Sequence, residues 1–434
     1  MRHSASFAES RSAAAGEDHL FGAVLQGAAP FPQAVNHHGE GRLTMAHQAN
    51  GAAHRSLSIL EDLIRIQSVN PHYGENANGE GQVADYIEDR CRRIGLTVTR
   101  QPVLPGRDNI IAELRIPEPQ AVLLFESHMD TVSLDSMADP LVPIYKDGRL
   151  YGRGACDTKA TLAGMLYAME ECVKQAETLR SDIIFCASVD EEHAFRGLSA
   201  FMELNIPISG AVVGEPTELG IVVEHKGCAR FVVHTHGKAA HSSVPQEGDN
   251  AVYQMMRVVH YIEENEQLRL AAKQSALCGS PSIVVGTIRG GVQINIVPER
   301  CSIEVDRRII PGETPEEALA QFESGLRQAV EPLGVRLSIE PLLLDPALNT
   351  PHDADIVATA RQVAGTLGLN GQMCGVPYGS DASKLQQWKG IPTIVYGPGS
   401  IAQAHSKEEW VPVDEVAKAA EFYLQLARSY PSSY

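Results

Sequence analysis

No uninterrupted apolar run in the sequence approaches the ~20 residues that a membrane-spanning helix requires, so we expect no transmembrane protein. Basic residues are also scarce: 36 Lys and Arg stand against 54 Asp and Glu, giving a formal net charge of -18. Such an acidic surface repels the phosphates of nucleic acids and anionic lipids. We therefore expect neither a nucleic-acid partner nor a membrane partner.

Paired cysteines are missing as well. The eight cysteines are scattered along the chain, and none belongs to a Cys-x-x-Cys pair. This pattern argues against a secreted disulfide scaffold and against a thiolate zinc finger. A Gly-x-Ser-x-Gly motif near a strand end is also absent, which argues against a serine hydrolase. We expect a reduced, cytoplasmic protein.

The length of 434 residues is too great for one typical core and predicts two or three domains. Residues 1–54 have no persistent apolar periodicity, and we interpret them as an extension to which the pattern assigns no order. Glu17 and Asp18 interrupt the stretch in which a secretion signal needs its apolar core.

Regular patterns begin near residue 55, where predicted helices and strands alternate. Residues 121–125 form a continuous apolar run, which is typical of a strand buried on both faces of a parallel sheet. A predicted helix over 161–173 and predicted strands over 183–189 and 211–213 follow it. This alternation predicts an α/β fold with a mostly parallel sheet flanked by helices.

The pattern changes between about residues 225 and 344. Segments 229–234 and 301–306 alternate between polar and apolar residues, as half-exposed antiparallel strands do. We therefore predict a catalytic domain in two parts, 55–224 and 345–434, interrupted by an inserted α+β dimerisation or lid domain over 225–344.

Histidines and acids follow several predicted strands, where open α/β sheets build their sites. A single histidine after a strand would carry little weight, but five candidate ligands without any cysteine indicate a metal site. Imidazole combined with carboxylate suits zinc, manganese or cobalt. The candidates are His128, Asp157, Glu192, Glu215 and His405.

Four short motifs occur in a fixed order. They are Ser127-His128-Met129-Asp130-Thr131-Val132, Gly152-Arg153-Gly154-Ala155-Cys156-Asp157-Thr158-Lys159, Asp190-Glu191-Glu192 and Gly214-Glu215-Pro216-Thr217. From about residue 55 onward the chain resembles the di-zinc aminoacylase/carboxypeptidase metallohydrolase family. It is most similar to acetylornithine deacetylase and succinyl-diaminopimelate desuccinylase, and segments 225–227 and 397–405 particularly resemble the former.

The resemblance implies two divalent metal ions, zinc in the first place, with cobalt or manganese as alternatives. His128 and Glu215 would bind one ion, Glu192 and His405 the other, and Asp157 would bridge them. It also implies a cis peptide bond after Asp157. Asp130 is expected to contact the second ring nitrogen of His128, which would fix the tautomer of the ring; the alternative is a solvated turn residue.

Glu191 is the expected general base, which takes a proton from a metal-activated water; alone it could be a charged loop residue. The resemblance further implies that His241 reaches the partner subunit's site in a homodimer and stabilises the oxyanion. Otherwise His241 is a surface residue. The expected substrate contacts are Asn295, Arg308, Lys226 and Gly379, with Arg307 as the alternative to Arg308.

The sequence thus predicts a metal-dependent amide hydrolase of amino-acid metabolism. Our first choice is removal of an acyl group from an N-acyl amino acid, as in acetylornithine deacetylase. A dipeptidase or carboxypeptidase acting at the same site is the alternative among enzymes. The alternative from another class is a catalytically silent binding or dimerisation module.

Overall fold

The structure is a computed structural model that describes residues 54–74, 77–134 and 137–432. Residues 1–53 of the predicted extension lie outside the described residues. Within the described part of the chain, no helix is both long enough and apolar enough to cross a membrane.

The described residues form helices and strands that we number in chain order. The strands are β1 Thr97–Leu104, β2 Arg107–Leu114, β3 Ala121–His128, β4 Ile144–Lys146, β5 Arg149–Tyr151, β6 Ser181–Ser188, β7 Gly210–Val213, β8 Ile221–His225, β9 Gly227–His236, β10 Ser282–Gly290, β11 Arg300–Ile309, β12 Leu337–Asp345, β13 Leu348–Asn349, β14 Met373–Val376, β15 Thr393–Val395 and β16 Trp410–Pro412. The α-helices are α1 (residues 54–65), α2 Gly81–Arg93, α3 Lys159–Val173, α4 Arg196–Glu203, α5 Ala251–Tyr261, α6 Gln267–Ala271, α7 Pro315–Val330, α8 Asp355–Thr366, α9 Ala382–Lys389 and α10 Val413–Ser429.

Among the described residues, nine strands form the larger sheet, in the order β1-β2-β6-β3-β7-β15-β8-β13, with β14 beside β8. Its centre is parallel, because β6, β3, β7 and β15 run in one direction, while antiparallel strands lie on both sides. The carboxyl ends of these four strands therefore meet at one edge. A small sheet, β16-β5-β4, lies apart from the larger one.

Strand β3 has the apolar run because both of its faces are buried. Leu123 and Phe125 pack into the core under α1, α2, α3, α8 and α10, whereas Leu124 packs into the core under α4 and α9. Helices therefore cover both faces of the sheet. The predicted fold class, an α/β sheet flanked by helices, is confirmed.

A second, antiparallel sheet has the strand order β10-β11-β9-β12. Phe231 and Val233 of β9 pack against Phe322 and Leu326 of α7, and the residues between them along β9 point to the opposite face. The sequence alternates between apolar and polar residues here because only one face of the sheet packs against the helices. The sheet and its helices occupy residues 227–345; the boundaries of the inserted domain stay a prediction.

One helix of this region differs from its expected form. The sequence indicates a helix over 250–265, but α5 ends at Tyr261 and a π-helical turn, Ile262–Glu266, leads into α6. The turn places the buried Glu266 carboxylate 2.6 Å from the nearest guanidinium nitrogen of Arg269. Sequence periodicity does not report such a contact.

Candidate metal centre

The predicted ligands meet at the edge where the four parallel strands end. His128 is the last residue of β3, and Glu215 follows β7 by two residues. Glu192 follows β6, and His405 lies in the loop after β15. Because these strands are neighbours in the sheet, side chains far apart in sequence come together, as open α/β sheets generally arrange their sites.

Asp157 lies at the centre of this group, in the loop before α3. One carboxylate oxygen, Oδ1, is 3.2 Å from Nε2 of His128, and the other, Oδ2, is 3.2 Å from Nε2 of His405. The peptide bond between Asp157 and Thr158 is cis, as predicted. Asp157 therefore faces both histidines at once.

Two groups of potential ligands result, and they share Asp157. In the first group, Nε2 of His128 also lies 3.7 Å from Oε1 of Glu215. In the second, Nε2 of His405 lies 3.0 Å from Oε2 of Glu192. Within each group the ligand atoms lie within 4.8 Å of one another, so one ion could contact all of them. The groups contain the same residues as the predicted ligand sets.

The charges of this cluster favour bound cations. Burial, together with the negative charge of Asp157, raises the pKa of Glu192 to about 7 and that of Glu215 well above its usual range. Burial opposes ionisation of Asp157 too, but hydrogen bonds with the two histidines hold its pKa below the ordinary value. Hydrogen bonds with Asp157 and Glu192 raise the pKa of His405 to about 10. The carboxylates thus exceed the positive charge available, and this donor set fits divalent metal ions.

Asp130 has more contacts than the sequence suggested. Nδ1 of His128 lies 3.0 Å from its main-chain oxygen and 3.5 Å from its Oδ1. Its carboxylate also accepts the backbone N–H groups of Glu191 and Glu192, each at 3.1 Å, and an N–H of Asn70 at 2.8 Å. Asp130 therefore orients both the ring of His128 and the loop with the two glutamates.

Glu191, the predicted base, belongs to neither ligand group. Its Oε2 lies 4.0 Å from Nε2 of His128, and the residue lines the cavity beside the cluster. Burial and the negative charge of Glu192 raise the pKa of Glu191 to about 8. Its carboxyl group is thus placed beside the ligands rather than among them.

The cavity has a volume of about 340 Å³, and the inserted sheet forms its far wall. Arg308 and Gly379 line it. Arg307 lies on the other face of β11, fully buried, with its Nη2 2.9 Å from Oε1 of Glu313. Of the two alternatives, Arg308 therefore faces the cavity. The backbone of Gly379 lies close to the side chain of Asp345, since a Cβ at this position would lie only 2.9 Å from Oδ2 of Asp345.

Three predicted residues do not line this cavity. Lys226 directs its ammonium group to the carbonyl of Ser280. His241 and Asn295 are exposed in neighbouring loops, where Ser242 N–H donates to the Asn295 carbonyl at 3.0 Å. A single chain does not bring His241 or Asn295 to the ligand cluster, and their roles stay predictions.

Sequence reasoning missed Glu409, a buried carboxylate behind the cluster. It accepts the backbone N–H groups of Gly154, Cys156 and Asp157 at 2.8–2.9 Å. Arg153 donates to it at 2.7 Å. Glu409 thus holds the loop that presents Asp157. Its only sequence signal is its position four residues after His405, which does not identify partners some 250 residues away.

Comparison with known proteins agrees with this geometry. Residues 124–429 match the model of peptidase family M20/M25/M40. The chain is 30% identical over 348 residues to an acetylornithine deacetylase from Myxococcus xanthus. This alignment covers 77% of this chain and 88% of the relative. It is 29% identical to a probable carboxypeptidase from Aspergillus flavus, over 85% of this chain and 89% of the relative.

One solved structure carries the same fold. The crystal structure of an M20 family metallo-carboxypeptidase from Sulfolobus solfataricus superimposes with a TM-score of 0.70 at 17% identity. The likeness covers 87% of this chain and 99% of the other. At this identity it supports the fold and leaves the substrate open.

Proposed function

This chain belongs to peptidase family M20/M25/M40, a family of metal-dependent hydrolases, and we propose that it removes the acyl group from an N-acyl amino acid. One observation carries the proposal: a buried aspartate lies between two groups of histidine and carboxylate ligands at the edge of the sheet. The relative named acetylornithine deacetylase favours deacylation over other amide hydrolysis. The family resemblance predicted from the sequence motifs is confirmed.

His128, Asp157 and Glu215 would hold one divalent ion, and Asp157, Glu192 and His405 would hold another. Zinc is our first choice, since imidazole and carboxylate are among its usual ligands. When bound, such ions supply Lewis acidity toward an amide carbonyl and lower the pKa of water.

Glu191 is the residue to which we assign proton transfer. A carboxylate oxygen of Glu191 would accept a proton from the attacking water and later deliver it to the nitrogen of the departing amine. Two features support this role: the side chain lines the cavity, and its backbone N–H is held by Asp130. Glu192 interacts with His405 and is not available for this task.

Substrate binding would use the far wall of the cavity. Arg308 would hold the free carboxylate of the amino acid, because its guanidinium can form two parallel hydrogen bonds to such a group. Gly379 would allow the substrate to approach the backbone. A substrate contact by Lys226 stays a prediction, because its ammonium group donates a hydrogen bond to the carbonyl of Ser280.

We also propose a homodimer in which His241 and Asn295 serve the partner subunit's site. Both residues are exposed, and neither lines the cavity of its own chain, which supports this arrangement. In it, His241 would aim an N–H donor at the negative charge that develops on the substrate oxygen.

Cleavage of dipeptides or C-terminal peptide bonds is the second candidate function. The relative from Aspergillus flavus that is named a probable carboxypeptidase favours it. The same ligands and base would perform the same amide chemistry, and only the acyl side of the substrate would differ. A catalytically silent module is disfavoured because each ligand position is filled by a residue suited to it.

A substrate panel tests the proposal. Zinc-loaded protein is assayed with N-acetyl, N-succinyl and N-formyl amino acids, and with dipeptides of the same amino acids. We expect the amino acid to be released faster from the acyl derivatives. Faster cleavage of the dipeptides would replace deacylation with the second candidate. Absence of any hydrolysis at full metal content would contradict both and favour a silent module.

A further inference from the structure

The far wall of the cavity contains two arginines rather than one. Arg230 of β9 and Arg308 of β11 both line the cavity. Their strands pair directly, with Arg230 opposite Asp306 and Arg308 opposite Cys228. Because side chains alternate along a strand, Arg230, Asp306 and Arg308 lie on the sheet face away from the α5–α7 core.

Asp306 holds the two guanidinium groups together. Nε of Arg230 lies 2.9 Å from Oδ2 of Asp306, and Nε of Arg308 lies 2.9 Å from Oδ1. One carboxylate thus orients two cations, and the trio keeps one positive charge. In the part of the chain that the structure describes, neither arginine has another ion-pair partner. Each guanidinium therefore retains N–H donors for a ligand.

A cationic ligand would find no equivalent partner. Apart from the proposed metal ligands and base, Asp345 is the one carboxylate among the described residues that line the cavity. Its Oδ1 already lies 2.7 Å from Nζ of the buried Lys384. The amine of an ornithine side chain would therefore meet two guanidinium groups and no free carboxylate. An anionic group would meet Arg230.

We infer that Arg230 determines specificity and that the substrate carries a second carboxylate beside the one held by Arg308. The substrate class is then an N-acyl derivative of an acidic amino acid, or an amino acid whose acyl group ends in a carboxylate. Asp306 positions both arginines. This inference rests on the proposed function and names its substrate class.

The wild-type enzyme provides the first test. N-acetylglutamate is compared with N-acetylglutamine, which has an uncharged isosteric side chain, and with N-acetylornithine. N-succinylalanine is compared with N-acetylalanine. We expect kcat/KM to favour the dianionic member of one pair by about 10- to 100-fold, the range of a hydrogen bond to a charged group. The pair with the preference identifies which end of the substrate carries the second carboxylate.

A variant then assigns the preference to Arg230. Arg230→Gln should reduce the ratio of the two kcat/KM values to about one, through a higher KM for the dianionic substrate. Arg336→Gln is the matched control, because Arg336 is an exposed arginine that directly precedes β12, pairs with Asp249 and lies outside the cavity. It should keep the wild-type ratio.

Two results would overturn the inference. Equal hydrolysis of the dianionic and the monoanionic member of each pair by the wild type would show that no second carboxylate is recognised, while deacylation itself would stand. If the ratio of the two kcat/KM values is unchanged in Arg230→Gln, then Arg230 does not recognise the second carboxylate. Absence of hydrolysis with every substrate would instead contradict the proposed function as well.

Discussion

The two walls of the cavity are built in opposite ways. The ligand wall consists of His128, Asp157, Glu192, Glu215 and His405, which come from separate segments at the sheet edge. Its carboxylates are buried, with the side chains of Asp157 and Glu215 only 8% and 6% exposed, whereas that of His405 is 51% exposed. The arginine wall uses residues on paired strands, and the side chains of Arg230 and Arg308 are 46% and 30% exposed. Buried charge requires compensation nearby, whereas exposed charge is partly solvated.

This difference separates chemistry from specificity. In the ligand wall, one lost carboxylate removes a proposed metal ligand, so substitutions there should abolish activity. In the arginine wall, water can replace a lost partner, so substitutions should change which substrate is preferred.

Metal removal should have the largest effect. Chelation should reduce hydrolysis to the background rate, because the ions that would polarise the amide carbonyl and lower the pKa of water are then removed. Added zinc should restore activity, with one ion bound for each of the two ligand groups. Metal analysis and a rate assay on the same sample test this. Full activity in metal-free protein would contradict the proposed mechanism.

Replacement of the base should come next. Glu191→Gln should reduce kcat by ~10²- to 10⁴-fold, since an amide cannot accept the proton, while metal content stays normal. Glu218→Gln is the matched control, because Glu218 is an exposed glutamate in the loop after β7. A near-normal kcat in fully loaded Glu191→Gln would assign proton transfer to another group.

The proposed contribution of the partner subunit is the third prediction. His241→Ala should reduce kcat by ~10²- to 10³-fold, the usual effect of losing one oxyanion donor. Mixing His241→Ala with Glu191→Gln chains should restore activity, because one of the two sites in each heterodimer then has both residues. The restored rate should be at most half that of the wild type. Verified heterodimers without activity would make His241 a surface residue.

The smallest effect is expected behind the ligand wall. Glu409→Gln removes the charge that orients the Asp157 loop, so metal affinity should fall by ~10- to 100-fold, as for other partners of metal ligands. A competition titration with a chelator measures this. Glu408→Gln, at the exposed neighbouring position, should keep wild-type affinity. Equal affinities in both variants would show that the loop does not depend on Glu409.

The sequence predicted the ligand wall because each part has a local signal. The apolar run 121–125 identifies a strand buried on both faces, and His128 lies three residues after the run, at the end of the strand. Parallel neighbours end at the same edge, so acids after other strands were expected to meet it. The choice between Arg307 and Arg308 was also within reach of the sequence. Arg307 is in phase with the buried Ile303 and Val305, so Arg308 faces the cavity.

Only the tertiary structure decided which distant residues support these positions. The sequence by itself determined where the main strands lie, which residue types are candidate ligands, and that these candidates follow strand ends. It could do so because periodicity and motifs are local properties. The link from Glu409 to the Asp157 loop spans about 250 residues. Asp306 forms ion pairs with both Arg230 and Arg308 only because of the register in which β9 pairs with β11. Such contacts follow from how strands and loops pack, which no local pattern encodes.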